Sequence, residues 1–137
     1  MSAEPLAPRP KPCDTCPYRR DVPSAIWAAH HYALLPEYDR PTGEQPAGLF
    51  LCHQADGRLC AGWAGCHDMA HSLAARLALA HGEVDERLFS YASPVPLFGS
   101  GAEAAAHGMR DYTDPGQTAR AAAAKLLAQR ARRKRGR

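Results

Sequence analysis

Four cysteines in the first half of the chain have the spacing of a metal site. Cys13 and Cys16 are separated by two residues, and Cys52 and Cys60 follow, in the order C-x2-C-x35-C-x7-C. A tight turn aims both thiols of a C-x2-C pair at one ion, but the pair supplies only half of a tetrahedral site. We therefore predict that Cys52 and Cys60 complete a set of four thiolate ligands.

Other side chains near these cysteines could take one of the four positions. The candidate substitutes are His53, Cys66 and His67. A site of Cys13, Cys16, Cys60 and His53 is a reasonable donor set for zinc. Adjacent residues of a strand point to opposite faces, so Cys52 and His53 are not expected to bind the same ion. The alternative without a metal is a group of buried cysteines that pack as small apolar side chains.

Two cofactors suit four thiolates. Zinc is a common structural ion with such ligands, and the seven histidines offer it further donors, although C-x7-C is wider than most zinc-binding spacings. Iron–sulfur clusters accept irregular spacings, and Cys16-Pro17 is typical of the Cys-Pro of bacterial ferredoxins. We predict structural zinc, with an iron–sulfur cluster of redox or sensing function as the alternative.

Two enzymatic alternatives depend on fewer residues. His67 and His71 would share one face of a helix and could hold the zinc ion of a hydrolase. Asp68 stands where such enzymes carry glutamate, and no third ligand is evident downstream. Cys13 and Cys16 also have the spacing of a dithiol redox pair, but that motif is expected between a strand and a helix, and a proline-rich leader precedes it here. No catalytic residue is therefore assigned.

Proline, glycine and apolar periodicity predict a mainly α-helical chain of three parts. Residues 1–11 are read as a disordered leader, 12–112 as a small metal-stapled single domain, and 113–137 as a basic C-terminal helix or tail. The predicted helices span about 24–35 (N-cap Ser24), 63–81 (C-cap Gly82), 84–91, 100–107 (capping box Ser100–Glu103), and 115 into the 130s. Residues 49–53 and 58–61 are predicted to pair as a short β-hairpin around Asp56-Gly57.

Positive charge is concentrated at the C-terminus. Residues 115–137 carry eight of the 17 Lys and Arg and none of the 14 Asp and Glu, so the first 114 residues have a net charge of −5 (9 − 14). The tail predicts contact with nucleic acid, or with an acidic protein surface, and the contact would be to phosphates because the tail lacks aromatic side chains. The candidate contact residues are Arg130, Arg132, Arg133, Lys134, Arg135 and Arg137.

The N-terminus is proline-rich and lacks the apolar run of a signal peptide, and no segment approaches the ~20 apolar residues of a membrane-spanning helix. A cytoplasmic location without membrane contact is therefore predicted. In that reducing compartment, and with an odd number of cysteines, disulfides are not expected.

Three segments resemble a family of small, uncharacterised cysteine-containing proteins of high-GC bacteria and their phages. They are Pro12–Ser24 (PCDTCPYRRDVPS), Phe50-Leu51-Cys52-His53-Gln54 and Leu59-Cys60-Ala61-Gly62-Trp63. The resemblance covers about residues 12–80 and implies that the four cysteines form one set, but it implies no substrate. The predicted function is a zinc-binding module that acts as a binding or adaptor protein.

Overall fold

The computed structural model describes residues 4–52, 58–114 and 116–135. Within these ranges the chain is a small, mainly helical domain without β-strands, which confirms the predicted fold class in this coarse form. The α-helices are α1 (Ala29–Leu34), α2 (Ala61–Cys66), α3 (Leu73–Ala80), α4 (Gly101–Arg110) and α5 (Gln117–Arg135). Short 3₁₀ helices lie between them at Leu35–Asp39, Thr42–Glu44, Met69–His71 and Glu86–Ser90. None of the described helices is long and apolar enough to cross a membrane.

Aromatic side chains from distant parts of the sequence form the centre of the core. The ring of Tyr38 meets those of Phe50 and Trp63 edge-on at centroid distances of 5.7 and 5.6 Å. Tyr18 meets Phe50 in the same way at 5.7 Å. Each such pair adds about 0.5–1.5 kcal/mol beyond the apolar area that it buries. Cys16 belongs to the same buried cluster, so the predicted site lies against the core.

Helix α1 begins five residues later than predicted because Ser24 is not its N-cap. The Ser24 hydroxyl donates to Gly108 O at 3.0 Å and accepts from Asp111 N at 2.9 Å. Ala25 has a φ of 66°, a left-handed conformation that a helix cannot include. Tertiary contacts with α4 therefore override the local helix signal.

The helix predicted over 63–81 is wrong as a single element. It is divided into α2, the 3₁₀ helix Met69–His71 and α3, because His67 has an extended backbone. Asp68 then caps the 3₁₀ helix at Ala70 N, and Ser72 caps α3 at Ala75 N. Gly82 has a φ of 73°, as expected for the glycine that ends α3.

The segment 4–11 lies against the body of the protein. Leu6 N donates to Glu83 O at 2.8 Å, and Asp85 N donates to Leu6 O at 2.7 Å. Pro8 forms a parallel bridge with Leu59. These contacts carry the N-terminal segment across the face that holds Cys52 and Cys60.

Helix α4 has the predicted capping residues and packs closely on α1. The Ser100 hydroxyl accepts from Glu103 N at 3.1 Å, while the Glu103 carboxylate accepts from Gly99 N at 3.2 Å. Gly108 faces Tyr32, and a Cβ at Gly108 would overlap the tyrosine ring. The 3₁₀ helix Glu86–Ser90 stands where a longer helix over 84–91 was predicted.

Candidate metal centre

The structure brings Cys13, Cys16, Cys52 and Cys60 together. Cys13 and Cys16 flank a turn that is closed by a 3.0 Å hydrogen bond from Cys16 N to Cys13 O. The Sγ atoms of Cys16 and Cys60 are 3.9 Å apart. Cys16 and Cys52 both shift the pKa of the Cys13 thiol, so they lie near it. The four cysteines therefore share one neighbourhood, in which Cys16 and Cys60 form the close sulfur–sulfur contact.

Antiparallel pairing places Cys52 and Cys60 on this site. Cys52 N donates to Arg58 O at 2.7 Å, and Cys60 N donates to Phe50 O at 3.0 Å. Between these bonds, Leu51 and Leu59 form an isolated bridge rather than a strand pair. The predicted turn at 53–57, including the candidate ligand His53, lies outside the described residues.

Backbone groups around the sulfurs favour the thiolate form. Trp63 N donates to Cys60 Sγ at 3.4 Å, because Cys60 is the N-cap residue of α2. The backbone at Thr15 lowers the pKa of the Cys13 thiol, and the backbone at Tyr18 lowers that of the Cys16 thiol. Hydrogen bonds of this kind stabilise a thiolate relative to a thiol.

Burial opposes this effect at Cys13 and Cys16 and raises the pKa of both thiols. The pKa of the Cys13 thiol is raised by its hydrogen bond with Cys16 and by burial, against a lowering by Cys52. For Cys16 the hydrogen bond with Cys13 lowers the pKa, but contact with Cys60 and burial raise it well above the ordinary value. Together the thiols need a positive charge before they can ionise as a group.

One positive charge already stands beside the site. Arg9 donates from Nη1 to Cys52 Sγ at 3.3 Å, and this bond raises the pKa of its guanidinium. Sequence reasoning missed Arg9 because it lies in the proline-rich segment that was read as a leader. The signal that could have found it is its position four residues before Cys13.

Close packing of α2 fixes the position of Cys16. A Cβ at Gly62 would overlap Cys16 Sγ and would lie 2.9 Å from Tyr18 Cβ. Cys16 and Tyr18 are 1% and 0% exposed, so neither side chain has free space to move into. Glycine at position 62 is therefore required by the site itself.

The thiols are adjacent, but they are not in the arrangement of metal ligands. Across residues 4–52, 58–114 and 116–135, no group of three or more His, Cys, Asp and Glu side chains is placed so that it could hold a metal ion.

Cys66 and His67 lie in a different environment from the four thiols. They line a cleft of about 390 Å³ together with Asp39. His67 Nε2 contacts Asp39 Oδ1 at 3.0 Å, and its Nδ1 contacts Trp63 O at 3.0 Å. Burial, with the nearby charges of Asp39 and Glu103, raises the pKa of the Cys66 thiol to about 12. Both ring nitrogens of His67 are engaged away from the site.

His67 and His71 do not share the helical face that the hydrolase alternative predicted, although both line the same cleft. His67 and His71 were expected on one helical face, but the break at His67 places them on different elements. His67 pairs with Asp39, whereas the exposed His71 pairs with Asp68 at 3.7 Å. The two imidazoles are thus held by different partners.

Helix α5 carries the basic tail and packs on the body through its first half. Ala119 and Leu126 are buried, and the Arg130 guanidinium lies 5.6 Å from the centroid of the Trp27 ring. Arg132 is exposed. The remaining candidate contacts Arg133, Lys134 and Arg135 continue the helix, while Arg137 lies outside the described residues.

A family model described as a family of unknown function (DUF6283) matches residues 8–132. An uncharacterised family was expected over about residues 12–80, and the match agrees with it in this coarse form but covers more of the chain and reaches into α5. No curated protein and no solved structure matches the chain.

Proposed function

The chain belongs to this family of unknown function (DUF6283), and we propose that it is a small binding or adaptor module built around one zinc ion. In this proposal Cys13, Cys16, Cys52 and Cys60 hold the zinc ion as thiolates, and α5 contacts nucleic acid. The metal has a structural role, since four protein ligands leave no open position for a substrate.

The distance between Cys16 Sγ and Cys60 Sγ carries the proposal. Zinc lies about 2.3 Å from each thiolate in a tetrahedral site, which separates neighbouring sulfurs by about 3.8 Å. The separation here is 3.9 Å, against about 2.05 Å in a disulfide. One edge of the tetrahedron therefore already has the length that a single ion requires.

The same distance argues against a four-iron cluster. In a four-iron cluster each cysteine binds a different iron, so the cluster separates every pair of cysteine sulfurs. A two-iron cluster allows close contact within each pair that shares an iron, but not between pairs. Close contact between the Cys16 and Cys60 thiols therefore counts against a four-iron cluster.

Charge and hydrogen bonding around the thiols support a tetrathiolate. Four thiolates and one Zn²⁺ have a net charge of −2, which is costly to bury without compensation. Arg9, Trp63 N and the backbone at Thr15 and Tyr18 supply that compensation. Neighbours of this kind orient the ligands and strengthen metal binding.

Metal analysis tests the first half of the proposal. Anaerobically purified protein should contain one zinc per chain and no acid-labile sulfide. Serine at any of the four cysteines should reduce the zinc content, because a hydroxyl is a much poorer zinc ligand than a thiolate. Cys66→Ser is the matched control and should retain full zinc. Iron with sulfide would support the cluster alternative, and equal loss in Cys66→Ser would contradict the ligand assignment.

The second half of the proposal rests on the charge of α5. The 19 residues of the helix contain no acid. The helix is about 28 Å long at 1.5 Å per residue. Duplex DNA carries one phosphate charge per ~1.7 Å of its axis, so a helix of this length can lie beside many phosphates. Because Arg130 is stacked on Trp27, the residues beyond it are the better candidates for phosphate contact.

Salt titration of DNA binding tests this contact. Affinity for a duplex should fall as the salt concentration rises. In a plot of log affinity against log salt concentration, each lost phosphate contact should reduce the steepness of the slope by about 0.9. Glutamine at Arg132, Arg133, Lys134 and Arg135 should lower that slope, whereas Arg76→Gln in α3 should not. Binding without salt dependence would contradict the proposal, and equal affinity for polyglutamate would favour an acidic protein as the partner.

A further inference from the structure

The turn between the first two cysteines faces α5 as well as the thiols. Cys13 and Cys16 point into the site, while Asp14 and Thr15 at the tip of the turn line a small cavity with α5. The α5 residues on this cavity are Ala122, Lys125, Leu126 and Gln129. Of these, Leu126 is 6% exposed and is the main apolar anchor of the helix.

Trp27 connects the same turn to α5. Its indole Nε1 donates to Thr15 O at 2.7 Å, the shortest direct link between the turn and the core. The other side of the indole is covered by Arg130, and a second small cavity beside it is lined by Ala123 and Leu126. Trp27 is 5% exposed, so its position depends on both neighbours.

We propose that α5 docks on this turn, so that metal occupancy controls the stability of the contact between the basic helix and the body of the protein. The inference rests on the proposed zinc site. The turn is closed by the hydrogen bond from Cys16 N to Cys13 O, and Cys16 Sγ lies 3.9 Å from Cys60 Sγ. With the ion, both ends of the turn are tied to the core, and Thr15 O is held in place for Trp27.

Helix α5 is well suited to respond to this change. Ala119 and Leu126 are its buried side chains among those described, so few apolar contacts hold it. Most of the stability of a helix in a protein comes from the packing of its apolar face, and that face is small in α5. If the turn loses the position on which α5 docks, α5 should therefore detach before the body of the protein unfolds.

Limited trypsin digestion of the full chain, read by mass spectrometry, tests the coupling. Cleavage after Arg120, Lys125 and Arg130 should become roughly tenfold faster when zinc is removed by a chelator under reducing conditions, a ratio equal to about 1.4 kcal/mol of docking free energy. Arg76 in α3 is the internal reference and should be cut at an almost unchanged rate. Equal protection of α5 with and without zinc, or equal acceleration at Arg76, would overturn the proposal.

A second variant separates the coupling from metal binding itself. Trp27→Phe removes the donor to Thr15 O, so it should bind one zinc per chain and yet expose α5 to cleavage several-fold faster. Tyr91→Phe loses a hydroxyl bond to Pro10 O away from α5 and should behave as wild type. If Trp27→Phe binds zinc and protects α5 normally, the docking proposal is wrong although the zinc site stands. If the wild-type protein binds no zinc, the proposed function fails first and this inference fails with it.

Discussion

The close approach of α2 to the cysteine turn predicts that Gly62→Ala damages both the stability and the metal site. The added methyl group would overlap Cys16 Sγ and would lie 2.9 Å from Tyr18 Cβ, closer than real Cβ atoms come to a neighbour. Cys16 and Tyr18 are 1% and 0% exposed, so neither can move without displacing the core. The thiol of Cys16 must therefore shift away from position 62, which changes its 3.9 Å separation from Cys60 Sγ.

The expected cost follows from two opposing terms. Overpacking of a dense core costs about 1–3 kcal/mol, and two simultaneous overlaps place this site at the upper end of that range. Alanine in place of a helical glycine returns about 0.5–1 kcal/mol through a lower backbone entropy loss. The net destabilisation should be about 2 kcal/mol, equivalent to a decrease in Tm of roughly 8 °C for a domain of this size.

Urea unfolding followed by tryptophan fluorescence measures this cost, since Trp63 lies beside Gly62 in α2. Gly48→Ala is the matched control, because nothing lies within 4 Å of the position that its Cβ would take. That variant should be stabilised by about 0.4–1 kcal/mol through the unfolded state. Zinc content per chain should fall in Gly62→Ala and stay unchanged in Gly48→Ala.

Two results would refute the reasoning. If Gly62→Ala is as stable as Gly48→Ala, α2 does not approach the turn as closely as described. If Gly62→Ala is destabilised but keeps its zinc with wild-type affinity, the position of the Cys16 thiol does not matter for the ion. In that case Cys16 would have to be replaced as a ligand by one of the candidate substitutes.

Two further predictions concern the cleft beside α2. Asp39→Ala should lower the free energy of unfolding in urea by about 2 kcal/mol. Asp39 accepts from Gly101 N and Ala102 N at the start of α4, at 2.8 and 2.7 Å, and it also contacts His67. The control Glu37→Ala removes only an exposed ion pair with Arg40 and should change the free energy of unfolding by no more than about 0.5 kcal/mol. The raised pKa of about 12 keeps Cys66 protonated, so iodoacetamide at pH 8 should alkylate it at least about a hundredfold slower in the folded protein than in urea. In the unfolded chain the pKa of this thiol is near its ordinary value of 9.0. The contribution of Cys66 to the free energy of unfolding should therefore fall progressively as pH rises from about 9 to 12. Equal alkylation rates would show that Cys66 is not buried in the cleft.

Local sequence signals were sufficient to predict those features that depend on residues only a few positions apart in the chain. The Ser100–Glu103 capping box and the glycine that ends α3 both satisfy backbone groups within one helical turn, and both are present. The antiparallel pairing of the segments that carry Cys52 and Cys60 was also readable, and it is present as an isolated bridge between Leu51 and Leu59. The zinc ion and the nucleic-acid contact stay predictions.

Tertiary contacts decided what these local signals could not. The start of α1 moved because Ser24 and Ala25 bond to Gly108 O in α4, more than 80 residues away. The long helix broke at His67, whose ring reaches Asp39.

By itself, the sequence determined which residues could form a four-thiol site, because cysteine spacing is a property of the chain. Only the folded structure decided that Cys66 faces another cleft, that Arg9 stands beside Cys52, and that Gly62 packs on Cys16. Those facts depend on contacts between segments far apart in the chain, and no local pattern encodes them.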